Sequence, residues 1–206
     1  MLAVIDWGAP GVAGVLRALT AAGGHPEVVT TPAEVRRAAR VVLPGVGNFG
    51  PARRRLAETG LDDALSAAAA AGRPLLAICL GFQLCCGPTD EDPGGTGLGL
   101  LPGRIVRFRT ARPLPHVAWA PVTLTDAGQT HPALATPFAD GPLRLYHVHS
   151  YHPTDVPAEA ALATADYDGA FPTIVGRGSV LGVQFHPEKS RAAGVAFLRG
   201  FLSWAP

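Results

Sequence analysis

Two short stretches of the chain hold the side chains best suited to chemistry. In the first, Pro74-Leu75-Leu76-Ala77-Ile78 runs straight into Cys79-Leu80-Gly81-Phe82-Gln83. An apolar strand, a tight small-residue turn and a helix start make the geometry of a nucleophile elbow. Such a turn pushes the Cys79 side chain out of the sheet. It also aims backbone N–H groups and a helix N-terminus at the sulfur, which favours a thiolate. The second stretch is Gly182-Val183-Gln184-Phe185-His186-Pro187-Glu188-Lys189-Ser190. It reads as another strand, ending in a His and a Glu two residues apart. Pro187 between them keeps their separation rigid. Glu188 can accept the proton on one ring nitrogen and leave the other facing the thiol. Cys79 at one strand end, with His186 and Glu188 at another, forms a Cys-His-Glu triad for attack on a carbonyl carbon.

Taken singly, each member has a plainer explanation. A free Cys usually packs as a small hydrophobe, and His-Pro after a strand is often only a turn. The combination is what points to catalysis. Pro44-Gly45-Val46-Gly47 also follows a strand. Its glycines would let backbone N–H groups turn toward a developing oxyanion without a side-chain clash. The N–H of Leu80, just after the nucleophile, would be the second donor. Cys85 and Cys86 fall within the helix that follows and read as packing residues. The three cysteines do not have zinc spacing. His147 and His149 share one face of a strand, with His152 close by, but no carboxylate or thiol lies near in sequence. They are expected to be satisfied polar groups at a strand end, and neither metal nor cofactor is expected.

These residues need a scaffold, and the pattern supplies one. Leu2–Ile5, Pro26–Thr30, Arg40–Leu43 and Leu75–Ile78 read as strands. Val12–Ala22 and Leu61–Ala71 read as helices closed by glycines. Thr31-Pro32-Ala33-Glu34 is a helix start with Thr31 as its cap. Strand–helix alternation predicts a mainly parallel central sheet flanked by helices. The C-terminal half is strand-rich: Gly103–Phe108, His116–Thr123, Leu143–His149, Ala160–Thr164, Thr173–Val175 and Val180–Phe185. A last helix spans Ala192–Ser203. Gly87–Gly97 reads as a flexible surface loop. The expectation is an α/β fold in a single domain over residues 1–206, with the loops after Leu43, Ile78 and Phe185 converging at the carboxyl ends of the strands.

Composition narrows the function further. The 206 residues are 48% hydrophobic and 16% charged, enough for a sizeable core. Net charge is +1, with no basic stripe of the kind nucleic acid requires. The Arg53-Arg54-Arg55 cluster reads as a solvated helix face. No apolar run is long enough to span a bilayer, and Met1–Asp6 reads as a first strand rather than an export signal. Three cysteines, an odd number, fit a reducing compartment and a cytoplasmic protein.

Together, Cys79-Leu80-Gly81-x-Gln83, the Gly45-x-Gly47 loop and His186-Pro187-Glu188 resemble the class I, triad-type glutamine amidotransferases. Finer stretches resemble the branch that forms the glutaminase subunit of imidazole glycerol phosphate synthase. They are Pro44–Gly50, Leu114–Trp119, Val148–Tyr151, Tyr167-Asp168-Gly169 and Leu181–Ser190, collinear over nearly the whole chain. Phe82 fits the same branch. The resemblance implies glutamine hydrolysis through a glutamyl thioester on Cys79, with His186 moving the protons. It implies that Gln83 and the backbone near Gly47, His149 and Ser150 hold the glutamine. It also implies a heterodimer with a (βα)8-barrel cyclase, which uses the ammonia to form imidazole glycerol phosphate and aminoimidazole carboxamide ribonucleotide in histidine biosynthesis. Trp119 and Tyr146 match aromatic positions at that interface.

Two departures stand out. Pro10-Gly11-Val12 replaces a usual Gly-Asn-Leu, and Ala118-Trp119-Ala120 a usual Gly-Trp-Asn; both are expected at or near the partner face. They keep open a related amidotransferase feeding another synthase. A Cys hydrolase of esters or lactones is a further alternative. The triad reading predicts that Cys79→Ala abolishes glutamine hydrolysis and leaves the fold intact, and that His186→Ala does nearly the same. Glutamate release measured beside a far-UV circular dichroism spectrum checks both.

Overall fold

The computed structural model describes residues Met1–Pro206. Strands β1 (Leu2–Ile5), β2 (Pro26–Val29), β3 (Arg40–Leu43) and β4 (Leu75–Ile78) alternate with helices α1 (Val12–Ala21), α2 (Pro32–Arg37), α3 (Phe49–Thr59) and α4 (Leu61–Ala70). After β4 comes the short helix α5 (Leu80–Cys85). The second half holds β5 (Arg104–Arg107), β6 (His116–Leu124), α6 (Asp126–Gln129), β7 (Leu143–His149), β8 (Tyr151–Thr154), β9 (Ala161–Asp166), β10 (Ala170–Arg177) and β11 (Val180–Val183). A single 3-10 turn, Pro187–Lys189, then leads into α7 (Arg191–Ser203).

Nine strands form one sheet in the order β2-β1-β3-β4-β11-β10-β9-β6-β7. The first five strands run parallel to one another, and the remaining pairings are antiparallel. The parallel strands are apolar throughout where helices cover both faces: β1, β4 and β11 are buried at every position. The core accordingly has two parts. One packs α1 and α7 on one face, and the other packs α2 to α5 on the opposite face. The strand β11 enters beside β4, with Val183 in register with Ile78. That pairing brings the two chemical stretches side by side. No helix is long and apolar enough to cross a membrane.

The expected elements are present, with shifted limits. The chain leaves β11 at Val183, so Gln184 and Phe185 lie in the turn that presents His186. The Thr173–Val175 strand is longer, Ala170–Arg177, because pairing with both neighbours extends it. Strand β8 escaped the sequence reading; it pairs with β5 in a separate two-stranded sheet. Thr31 forms the expected capping box with Glu34. The Gly87–Gly97 segment is folded back on itself rather than free: Gly97 donates to the Gly87 carbonyl at 2.9 Å and Gly95 to that of Asp92 at 2.7 Å. Phe82, which fits the amidotransferase branch named above, is fully buried. A Cβ on Gly182 would meet its ring at 2.1 Å.

Two glycines let the chain pass close to itself at the elbow. A Cβ on Gly81 would lie 2.2 Å from the Leu43 carbonyl oxygen, and one on Gly45 2.5 Å from the Gly81 nitrogen. Neither opposing atom is a flexible side chain. Gly81→Ala should therefore destabilise the protein by roughly 1–3 kcal/mol, the cost of overpacking a fixed backbone, seen as a lower urea midpoint with unchanged slope. A variant as stable as the wild type would contradict this close approach.

Candidate active site

Cys79 sits between β4 and α5 with φ 53° and ψ −107°, a conformation that L residues adopt rarely. The strain is held by tertiary contacts. Its N–H donates to the Val183 carbonyl at 2.8 Å, and the Leu80 N–H donates to the Gly45 carbonyl at 3.2 Å. Gln184 Nε2 donates to the Cys79 sulfur at 3.7 Å. His186 Nδ1 bonds Glu188 Oε1 at 2.7 Å, with both side chains nearly buried. Its Nε2 is buried, closes no hydrogen bond of ordinary geometry, and has Cys79 as its electrostatic neighbour.

The charge balance decides the state of His186. Burial alone would lower its pKa. The negative charge of the Cys79 sulfur and then the Glu188 carboxylate outweigh burial and push it from 6.5 to about 10. The site therefore favours an imidazolium held between the sulfur and the carboxylate. His147 is the opposite case. It is fully buried away from any carboxylate and is pushed down to about 3, so it stays neutral. Its Nδ1 donates to the Leu145 carbonyl at 3.0 Å and its Nε2 accepts from the Thr173 hydroxyl at 2.9 Å. His149 is also held neutral by burial. Its Nδ1 donates to the Tyr151 carbonyl at 2.8 Å, leaving Nε2 buried without a partner.

A cavity of about 840 Å³ opens over these groups. Gly45, Gly47, Leu80, Gln83, His149 and Ser150 all line it, as do Pro10 and Gly11. Gly47 has φ 110° and nothing within 4 Å of where a Cβ would be, so the loop has room to turn. The Trp7 indole donates to the Pro44 carbonyl at 2.8 Å and pins the start of that loop. Gln83 is 4% exposed; its Nε2 donates to the Tyr151 carbonyl and to Gln184 Oε1, both at 3.2 Å.

Three contributors escaped the sequence reading. Gln184 was passed over as part of a strand, although a polar residue in an apolar run beside the His was a visible signal. Glu91 comes from the Gly87–Gly97 loop, lines the cavity, and accepts the Phe49 N–H at 3.1 Å at the start of α3. Nothing local marked it, because only the folded loop brings it there. Ser190 closes a ring with two backbones: its hydroxyl donates to the His186 carbonyl at 2.6 Å and accepts the Tyr146 N–H at 2.9 Å, while His186 N–H donates to the Tyr146 carbonyl at 2.8 Å. No three His, Cys, Asp or Glu side chains come together in a metal-holding arrangement.

The aromatic pair lies on the β6–β7 ribbon. Trp119 is 37% exposed and meets Tyr146 edge-on, with ring centroids 5.6 Å apart. Arg191 lies over Trp119 and Lys189 over Tyr146. Ala120, expected near the partner face, is buried on the other side of the strand, so it acts through packing rather than contact.

A family model described as glutamine amidotransferase class-I matches residues 3–203. The chain belongs to the class I glutamine amidotransferases. Its similar relatives are imidazole glycerol phosphate synthase subunits HisH. The protein from Symbiobacterium thermophilum is 44% identical over 200 residues, covering 96% of this chain and 91% of the relative. The one from Streptococcus gordonii is 41% identical over 206 residues, covering 99% and 96%. Among solved structures, a glutamine amidotransferase superposes with TM-score 0.74 at 17% identity, over 98% of this chain and 99% of that one. The PurLQS structure from Thermotoga maritima gives TM-score 0.74 at 18% identity, over 98% and 96%. These structural neighbours share the amidotransferase fold.

The raised His186 has a consequence for stability. An unfolded histidine loses its proton near 6.5, whereas folded His186 keeps it to about 10. Between those values the folded state binds more protons. Its stabilisation is thus complete below about 6.5 and is lost as pH rises toward 10. Urea unfolding across that window should show this decline, and His186→Asn, which cannot become charged, should flatten it. An unchanged decline in the variant would contradict the ion pair.

Proposed function

We propose that this amidotransferase hydrolyses glutamine to glutamate and ammonia and delivers the ammonia to the cyclase of imidazole glycerol phosphate synthase, for histidine biosynthesis. The observation that carries the chemistry is the strained Cys79 turn facing the 2.7 Å His186–Glu188 pair. The Cys79 thiolate attacks the side-chain amide carbon of glutamine. His186 Nε2 gives its proton to the departing nitrogen, which leaves as ammonia, and a glutamyl thioester remains. His186 then takes a proton from water, the hydroxide attacks the thioester, and glutamate leaves as the thiolate returns. Glu188 holds Nδ1 throughout and keeps Nε2 aimed at the sulfur.

Substrate is held by Gln83, by the backbone around Gly47, and by His149 and Ser150. Glu91 joins them as the carboxylate that pairs with the α-ammonium group of glutamine. The oxyanion donors are not both free at rest. The Gly45 carbonyl takes the Leu80 N–H, so hydrolysis requires the Gly45–Val46 peptide to turn and present an N–H instead. The glycines at 45 and 47 permit that turn. The isolated chain is therefore a slow glutaminase.

The partner is a (βα)8-barrel cyclase, bound as a heterodimer through Trp119, Tyr146, Pro10 and Gly11. The whole of residues 1–206 acts as one domain, in the cytoplasm. One observation favours a second acceptor enzyme. Gly11 stands at the N-cap of α1 with φ 99° and offers no side chain for a cap or a partner contact, in place of the usual asparagine.

Glutamate release by the purified chain, alone and with its organism's cyclase and the formimino nucleotide acceptor, separates the readings. Strong stimulation is expected. Activity indifferent to the cyclase would point to the second acceptor, and no glutamate in either assay would overturn hydrolysis. In the same assay Glu91→Gln should raise KM on the order of tenfold, the loss of one charge-assisted contact, with little change in kcat.

A further inference from the structure

The sulfur of Cys79 has a neighbour that the triad does not use. Gln184 is fully buried at the end of β11. Its backbone N–H donates to the Thr173 carbonyl at 2.9 Å, which fixes where the side chain starts. The amide itself is the middle of a relay whose direction can be read from chemistry. A backbone carbonyl only accepts, so the Gln83 atom 3.2 Å from the Tyr151 oxygen must be the NH₂ nitrogen. That same nitrogen lies 3.2 Å from the Gln184 side chain, which must therefore turn its oxygen toward Gln83. Gln184 is left with its own NH₂ facing Cys79 Sγ at 3.7 Å. The orientation of two side-chain amides is thus set by one backbone carbonyl of β8.

A buried amide could have been replaced by an apolar side chain of similar size if its role were only to fill space. A buried donor next to a sulfur is useful when the sulfur is charged, because hydrogen bonds to ionised groups are the stronger ones. The triad supplies positive charge from His186, which must give up its proton when the leaving nitrogen departs. Gln184 keeps its protons through the whole cycle. It is a donor that faces the sulfur both before attack and again when the thiolate leaves the thioester.

We infer that Gln184 is a positioning residue for the Cys79 thiolate, held in its donating orientation by the Tyr151–Gln83–Gln184 relay. The relay also joins the nucleophile to the substrate site. Gln83 uses its nitrogen twice, so its oxygen is the group left for the ligand in the cavity. A ligand that donates to this oxygen polarises the Gln83 N–H groups, and through them the donor at the sulfur.

This inference rests on Cys79 being the nucleophile proposed above, and its test does not need glutamine turnover. The complex of the full chain with its cyclase is alkylated with iodoacetamide over a range of pH, and the modified peptide is identified by mass spectrometry. Cys85 and Cys86 are fully buried, so the Cys79 peptide reports the thiolate. Gln184→Met keeps the volume and removes the donor; its alkylation at neutral pH should slow on the order of tenfold, with the pH midpoint moving up. Gln184→Glu should move the midpoint up further, since a carboxylate repels the thiolate. Gln83→Met does not touch the sulfur, yet should shift the midpoint in the same direction by releasing Gln184 to rotate. That response is one a packing role would not give, and it carries the test if the Gln184 variants do not fold. Wild-type midpoints in folded Gln184→Met, or in Gln83→Met, would overturn the inference. Wild-type glutamate release, assayed in parallel, reports on the hydrolysis reading separately.

Discussion

Everything in this structure depends on the backbone turn at Cys79. A non-glycine residue at φ 53° is held there by the Cys79 N–H bond to Val183 and by the close passage of Gly45 and Gly81 past the elbow. Strain of this kind persists only where the surroundings overdetermine it. Here they do: β4 is buried on all sides, and β11 lies in register beside it. The turn lifts the sulfur out of the sheet and into the cavity. The same β4–β11 pairing brings the His186 turn to it. Sheet order and active-site geometry are therefore one constraint seen at two scales.

Electrostatics then sorts the histidines. His186 and His147 are both buried, so desolvation pushes both toward neutrality. His186 escapes because a sulfur and a carboxylate flank it; His147 does not, because its partners are a carbonyl and a hydroxyl. One ring becomes the proton carrier and the other a rigid polar strut, from the same side-chain chemistry. The ring of hydrogen bonds through Ser190 ties the His186 backbone to Tyr146. The β6–β7 ribbon and the His186 turn are thereby mechanically joined. The Leu80 N–H is already taken by the Gly45 carbonyl, so the oxyanion role proposed for this loop requires a local peptide rotation rather than movement of Cys79 or His186.

The sequence carried much of this, and for identifiable reasons. Strands β1, β3 and β4 and helix α2 are encoded locally by apolar runs and a capping box. The elbow and the His-Pro-Glu turn are legible because their residues lie within a few positions of one another. Glu91 was not legible: its loop is rich in Gly, Pro and acidic residues, the usual mark of a solvated segment, and only its packing against the start of α3 brings the carboxylate to the cavity. The burial of Ala120 and Phe82 was not legible for a related reason, since which side of an element faces a neighbour depends on the packing around it.

By itself, then, the sequence determined the α/β class, and it marked Cys79, His186 and Glu188 and the glycines of the loop beside them as the candidate site. These are short-range patterns, fixed by covalent spacing and by the period of strands and helices. The tertiary structure alone decided which histidine carries charge, which N–H at the elbow is already occupied, and which amide meets the sulfur. Charges and hydrogen bonds are set by distance and burial among groups far apart in the chain, and no local pattern records those until the sheet has closed.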